Sequence, residues 1–339
     1  MSKDIKALKQ LMLQVARQQP PANFTLEQTH EALRKALKEL APDYNAYRRN
    51  QLTIFELMQE TIDEILPNRI ITAMGRFAEV KQFGQGTQPV FKQKLGRQRG
   101  KSFVTQVGLS GIYETFRLDS SSLYVPTKAH GGAALIEFER FLDGLENLDE
   151  LMWAVQEGME DQFYEEVQAA LIATFNNLPT PNTYTGNGFV SSGFMGLVNV
   201  ARAYGNNVNV FCTSEFASKI TTSGSFIGDT GWSQTEQQEL RERGYIGKFK
   251  GANIFVLPQS FKDESNAELV INPAYAYIIP TGGKGDERIV KIAMEGQTII
   301  DEFKNADRSM EIQVYKKFGV SVLNSNYYCM YYDTSLDGS

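Results

Sequence analysis

Residues 145–175 read LENLDELMWAVQEGMEDQFYEEVQAALIATF, and the fold turns on this stretch. Leu148, Met152, Val155, Met159, Phe163, Val167 and Ala170 recur every three or four residues, the spacing of one helical face. No proline interrupts the run, and Pro179 lies just past its end. About 28 helical residues would span about 42 Å, longer than an average globular helix. Asn147 is placed to accept from the first free backbone amides and Glu150 to reach back to it, a capping box with Asn in the Ser/Thr place. The opposite face carries Glu146, Asp149, Glu150, Glu157, Glu160, Asp161, Glu165 and Glu166, and no Lys or Arg occurs between Arg140 and Arg202. Such a face is either solvated or covered by something basic from another chain.

The rest of the chain is ordinary globular material. Its 339 residues are 42% hydrophobic and 22% charged, enough for one large or two modest cores. A net charge of −6 argues against a chain that coats itself with nucleic acid. There is no apolar run of about 18 residues and no signal-peptide pattern, so no membrane partner is expected. Cys212 and Cys329 stand alone, without metal-ligand spacing, which fits folding in a reducing cytoplasm.

Upstream, residues 3–18 have Ile5, Leu8, Leu11, Met12 and Val15 on one side and end before Pro20 and Pro21. Thr25, with Gln28 as capping-box partner, opens a second helix through Leu40. A third is predicted over residues 53–66, stopping before Pro67. With no strand nearby to pack on, the three read as an arm that gains its stability against something else. Residues 76–126 change character. Strand-like stretches at 76–83, 90–95, 102–109 and 111–118 sit among Gly, Gln, Ser and Thr and read as a long two-stranded hairpin. It is basic through Lys92, Lys94, Arg97, Arg99 and Lys101. Such a ribbon is marginal on its own, so it needs another surface. Its basic tip reads as a nucleic-acid-binding or solvated loop, with the acidic helix as the alternative partner.

Downstream the pattern is mixed α/β. Residues 208–213 form a short apolar strand before a Ser214-capped helical turn. Ser233, with Glu236, caps a helix to Arg243 that Gly244 ends. Residues 254–257, 269–271 and 275–279 are apolar runs consistent with buried strands. Val290, Ile292 and Met294 share one parity, and so do Met310, Ile312, Val314, Phe318, Val320 and Val322. That alternation predicts half-buried antiparallel strands beside the long helix, with Lys316 breaking the apolar parity at an edge or bend. The run YYCMYY at 327–332 reads as a strand end packed on its own domain, with a contact to a neighbouring chain as the alternative.

No catalytic constellation can be assembled. His30 falls on a helix and His130 in the Gly-rich run KAHGG at 128–132, where a single loop histidine is structural or solvated far more often than catalytic. No Gly-x-Ser-x-Gly elbow occurs. Gly186-Asn187-Gly188 lacks the third glycine of a dinucleotide fingerprint and reads as a turn. The run GGKG at 282–285 lacks the earlier glycine and the following Ser or Thr of a phosphate loop, and reads as a surface turn. No catalytic, cofactor or metal residue is therefore assigned.

The order of parts resembles the major capsid protein of tailed bacteriophages, the Hong Kong 97-type fold. The segments GYIGKFKGANIFV at 244–256, NPAYAY at 272–277 and the strand through FGV at 318–320 carry the likeness, which covers about residues 70–325. The resemblance implies an α+β fold with an N-terminal helical arm (1–75), an extended hairpin loop (76–126), a peripheral domain with spine helix and sheet (127–184 and 286–326), a mixed α/β axial domain (185–285) and a C-terminal tail (327–339). It implies a shell of pentamers and hexamers of this chain enclosing double-stranded DNA without sequence-specific binding, a portal, and location in the virion after assembly in the host cytoplasm. Met1 at the start implies a separate scaffolding protein, or none, rather than a cleaved N-terminal segment. Inter-subunit contacts would fall on Lys92, Lys94, Arg97, Arg99 and Lys101 of the hairpin and Glu157, Glu160, Asp161 and Glu165 of the spine helix. The same fold serves encapsulin-type nanocompartments that hold enzymes, and a soluble enzyme of mixed fold is the third alternative.

Overall fold

The computed structural model describes residues 3–22, 24–93, 121–136, 148–205, 207–222, 234–262, 265–281, 288–304, 310–323 and 327–337. Three helices lead: α1 (Lys3–Ala16), α2 (Leu26–Leu40) and α3 (Tyr44–Met74). The Thr25 capping box is formed, with Gln28 N donating to Thr25 Oγ1 at 3.3 Å and Thr25 N to Gln28 Oε1 at 3.0 Å. Asp43 caps α3 by accepting from Ala46 N at 2.7 Å.

α3 overruns the predicted stop, and Pro67 lies inside it. An interior proline removes one backbone hydrogen bond and costs about 3 kcal/mol. Ile62, Ile65, Leu66, Ile70 and Met74 are all buried along one face, so packing outweighs the local penalty. The "something else" that the N-terminal helices need is the chain's own body: Leu8, Met12, Val15, Leu33 and Leu37 share one core with α3 and with the strands described next. They are not a detached arm.

β1 (Ala78–Phe83) follows, then β2 (Val90–Gln93), β3 (Ser121–Tyr124) and β4 (Lys128–Ile136). β1 does not belong to the hairpin. It pairs in parallel with β10 (Val290–Lys304), which pairs antiparallel with β11 (Met310–Val322), which in turn pairs with β4. The order of this sheet is β1-β10-β11-β4. Among the described residues β2 and β3 pair only with each other, the part of the expected hairpin that falls within them; the stretches at 102–109 and 111–118 fall outside. α4 (Leu148–Ala173) is the predicted long helix. Its Met159, Phe163, Val167 and Leu171 are buried, and Phe163 meets Phe318 of β11 at 4.5 Å between ring centroids. Asn147 lies outside the described residues.

Lys316 is corrected outright. It sits in an inner strand, 1% exposed, and its ammonium bonds the carboxylate of Asp63 on α3. Its parity agrees with its buried neighbours Val314 and Phe318; only its chemistry differs. His130 is also corrected: it lies on β4, opposite Lys316, not in a loop. Gly131 and Gly319 permit close approach there, since a Cβ at Gly131 would fall 2.3 Å from Val314 O and one at Gly319 2.0 Å from Pro126 O.

The second sheet has the order β5-β12-β9-β6-β8-β7. It is built from β5 (Thr183–Gly186), β6 (Asn207–Cys212), β7 (Lys248–Phe249), β8 (Ala252–Val256), β9 (Tyr275–Thr281) and β12 (Cys329–Asp333), with α5 (Ser191–Arg202), α6 (Ser214–Thr222) and α7 (Gln234–Arg243). Alternate residues face two cores: Phe211, Tyr277 and Ile279 join the core of the first sheet, while Val210, Cys212, Ala276 and Ile278 face α5 and α6. Gly244 ends α7 with φ +76°, while Ser233 and residues 282–285 fall outside the described residues. Residues 269–271 form no strand; Leu269 makes only a single bridge to Phe261. Thr213, not Ser214, caps α6, accepting from Phe216 N at 3.4 Å.

The C-terminal residues are no tail. β12 lies inside the sheet, parallel to β5 and antiparallel to β9, and Tyr328 and Tyr331 are fully buried. Tyr331 Oη donates to Gly188 O at 3.0 Å and accepts from Val190 N at 2.8 Å, while Asp333 accepts from Gly188 N at 2.8 Å. These bonds hold the Gly186–Gly188 run as a turn, with Gly188 at φ +90°.

Candidate assembly surface

α4 presents its carboxylates along one side, but most already have partners within the chain. Glu160 receives Arg69 from α3 at 3.2 Å and the Tyr164 hydroxyl at 2.8 Å. Burial, then the Glu160 charge, pushes the Tyr164 hydroxyl far above its usual range, so it stays a donor. Asp161 accepts from Ser260 Oγ at 2.6 Å, and Glu165 lies 3.2 Å from Lys262 Nζ. Glu166 is approached by His130 Nε2 at 3.2 Å and Lys128 at 4.0 Å. The acidic face is therefore less open than its sequence suggests. Glu157 is exposed and makes no ion pair among the described residues; Trp153, one turn before it, is 44% exposed. A cavity of about 410 Å³ opens here, lined by both residues, Glu160, Asp161, Arg69 and Ser260.

On the basic side, Lys92 is exposed on β2 opposite Ser122. Lys94, Arg97, Arg99 and Lys101 lie outside the described residues. The base of the ribbon has two faces. Phe91 and Val125 are buried against Ala293, while Val90 and its cross-strand partner Tyr124 are 42% and 53% exposed. Arg69, Ser260 and Lys262 were missed because nothing in their local sequence marks them; tertiary packing alone brings them to α4.

The arrangement offers little to chemistry. Burial pushes the thiols of Cys212 and Cys329 up to about 12, so neither is a thiolate at neutral pH. His130 stacks on Phe318 at 4.0 Å between ring centroids. Among the described residues no group of three or more His, Cys, Asp or Glu is placed to hold a metal ion. No described helix is long and apolar enough to cross a membrane.

The chain's likenesses agree with a structural role. A family model described as "SPbeta prophage-derived putative capsid protein YonB" matches residues 5–331. No curated protein matches. Among solved structures, the acidic stable capsid structure of Helicobacter pylori bacteriophage KHP30 is similar at a TM-score of 0.51 and 13% identity, over 75% of this chain and 87% of that one. Microbacterium phage Oxtober96 is similar at a TM-score of 0.50 and 10% identity, over 77% and 90%. At such identities the likeness shows the fold alone, an α+β fold shared with phage capsid structures.

Proposed function

The chain belongs to the family of the prophage-derived capsid protein YonB, and from that premise we propose that it is the major capsid protein of a tailed-phage head. It is a structural, shell-forming protein and not an enzyme. The observation that carries the proposal is the family match, which runs from α1 into β12. Copies would associate as pentamers and hexamers into a closed shell around double-stranded DNA, in the host cytoplasm, with a portal and a separate scaffolding protein as partners. DNA would be held by enclosure, since a chain of net charge −6 offers little general attraction to phosphate.

The contact between copies would use the ribbon that begins at β2 and ends at β3. Its exposed outer face, Val90, Lys92 and Tyr124, would lead onto the α4 of a neighbour at Trp153, which is 44% exposed, and Glu157, which makes no ion pair among the described residues. Exposed ion pairs contribute about 0–1 kcal/mol each, so a shell made of many such contacts can dissociate and correct errors as it grows.

Sedimentation and electron microscopy of the purified full-length protein test the proposal. Closed particles are expected, and a protein that stays monomeric at every concentration overturns it. Nucleic-acid content then separates a phage head, which holds DNA, from an encapsulin-type compartment, which holds cargo protein.

A further inference from the structure

The β2–β3 ribbon joins the body through two crossings, residues 84–89 going in and 125–127 coming out. Both are tied to one side chain. Glu295 of β10 accepts from the Gly86 amide at 2.9 Å and from the Thr127 hydroxyl at 2.5 Å, one bond to each crossing. Glu295 is the last residue before the register of β10 with β11 shifts, and Gly296 follows at φ +69°. The irregularity interrupts the ladder at the root of the ribbon, and pairing resumes at Ile299. The register neighbours of Glu295 are Phe83 on β1 and Lys317 on β11.

A second fastening lies beneath the ribbon. Phe91 is 1% exposed and meets Phe83 edge-on at 5.6 Å between ring centroids. The ammonium groups of Lys81 and Lys291 lie 4.9 Å and 5.9 Å from its ring centroid. Lys291 is in turn held by Glu79. Phe91 and Val125, both buried against Ala293, thus seat the ribbon near its root, and rotation about that seat is limited by polar tethers on the crossings. The two bonds to Glu295 lie on the crossings, where they resist that rotation.

We infer that Glu295 is a positioning residue that sets the direction in which the ribbon leaves the subunit, with Phe91 as its pivot. One carboxylate thereby fixes the direction in which β2 and β3 leave the body, and so where the ribbon is offered to a neighbour. The geometry stands on its own; only its consequence for assembly rests on the shell reading. The Thr127 hydroxyl, then the Gly86 amide, hold the Glu295 carboxyl below its usual range, with Lys317 adding to them, so it remains a charged acceptor for both donors in mild acid.

The test uses full-length subunits kept dispersed and carrying nitroxide pairs. Cysteines replacing Lys92 and Gln162 report ribbon to body, and cysteines replacing Gln162 and Glu215 report within the body; the native Cys212 and Cys329 are fully buried. Glu295→Ala is expected to broaden the ribbon-to-body distance distribution beyond the width of the body pair and to leave the body pair unchanged. An unchanged ribbon distribution overturns the inference. If Glu295→Ala disturbs the body pair as well, Thr127→Val decides. It removes one tether only, and it must broaden the ribbon distribution or the inference fails. Because subunits are measured before association, a failure here leaves the shell reading standing, and a failure to form shells leaves this one standing.

Discussion

The ammonium of Lys316 bonds the carboxylate of Asp63, joining the inner strand β11 to the helix α3, which runs on through Pro67. The lysine side chain is 1% exposed and the aspartate 21%. The same carboxylate accepts from Thr298 N at 3.1 Å and Thr298 Oγ1 at 2.6 Å. Thr298 lies where the register of β10 and β11 shifts, so its amide loses a ladder partner and finds one on α3. Asp63→Ala would strand a buried ammonium and that amide together. The expected loss is about 3 kcal/mol in denaturant unfolding, at the low end for breaking a buried pair because Asp63 is partly wet. Asp63→Ala with Lys316→Met should recover most of it. A loss under about 1 kcal/mol in the single variant would show the pair to be idle.

Gly131 and Gly132 are adjacent on β4 and should differ sharply. A Cβ at Gly131 would overlap Val314 O and Tyr315, whereas one at Gly132 meets nothing within 4 Å. Gly131→Ala is expected to lower Tm clearly and Gly132→Ala to change it little. Equal effects, read by thermal unfolding of the two variants, would contradict the close approach of β4 and β11.

This pair shows what the sequence discloses. The alternation of β11 and the face of α4 were legible because local period and burial agree; in β10 Val290, Ile292 and Met294 are buried, but so are Lys291 and Ala293, so that stretch is covered on both faces rather than half-buried. The burial of Lys316 was not, because a lysine on the apolar parity reads as an edge until its partner 253 residues away is known. Pro67 misled for the same reason: the local rule is sound, and long-range packing of Ile62, Leu66 and Ile70 overrides it. β1 looked like hairpin because its parallel partner β10 lies more than two hundred residues downstream. The acidic face of α4 was legible as a charge run, but its internal neutralisation by Arg69 and Lys262 was not.

Tyr331 should matter through its hydroxyl. Tyr331→Phe leaves Val190 N and Gly188 O without their partner in a partly buried site, a loss of about 1 kcal/mol. Calorimetry of the variant checks this, and no loss would mean that the turn at Gly186–Gly188 is held by Asp333 alone.

Stability should fall in acid through two carboxylates. Burial raises the Glu79 carboxyl, but Lys291 and Lys81 outweigh it and hold it below its usual 4.5; Thr127 and Gly86 do the same for Glu295. A depressed folded value means the contribution is complete above the ordinary carboxylate range and is lost as pH falls through the folded values. Tm is therefore expected to drop between about pH 5 and pH 3, and a Glu79→Gln, Glu295→Gln variant to show a shallower acid limb from a lower neutral Tm. Parallel curves for the two proteins would contradict the assignment.

Reversing Arg97, Arg99 and Lys101 to Glu is expected to block shell formation while the subunit keeps its circular-dichroism spectrum and thermal transition. Normal particles from this variant would remove the basic ribbon from the account of assembly.

The central claim, that the ribbon of one copy rests on another, is tested most directly by an electron cryomicroscopy reconstruction of purified particles. The account predicts that the chain leaving β2 and returning at β3 lies across the α4 of a neighbouring copy, near Trp153 and Glu157. A ribbon that touches only its parent subunit would contradict it.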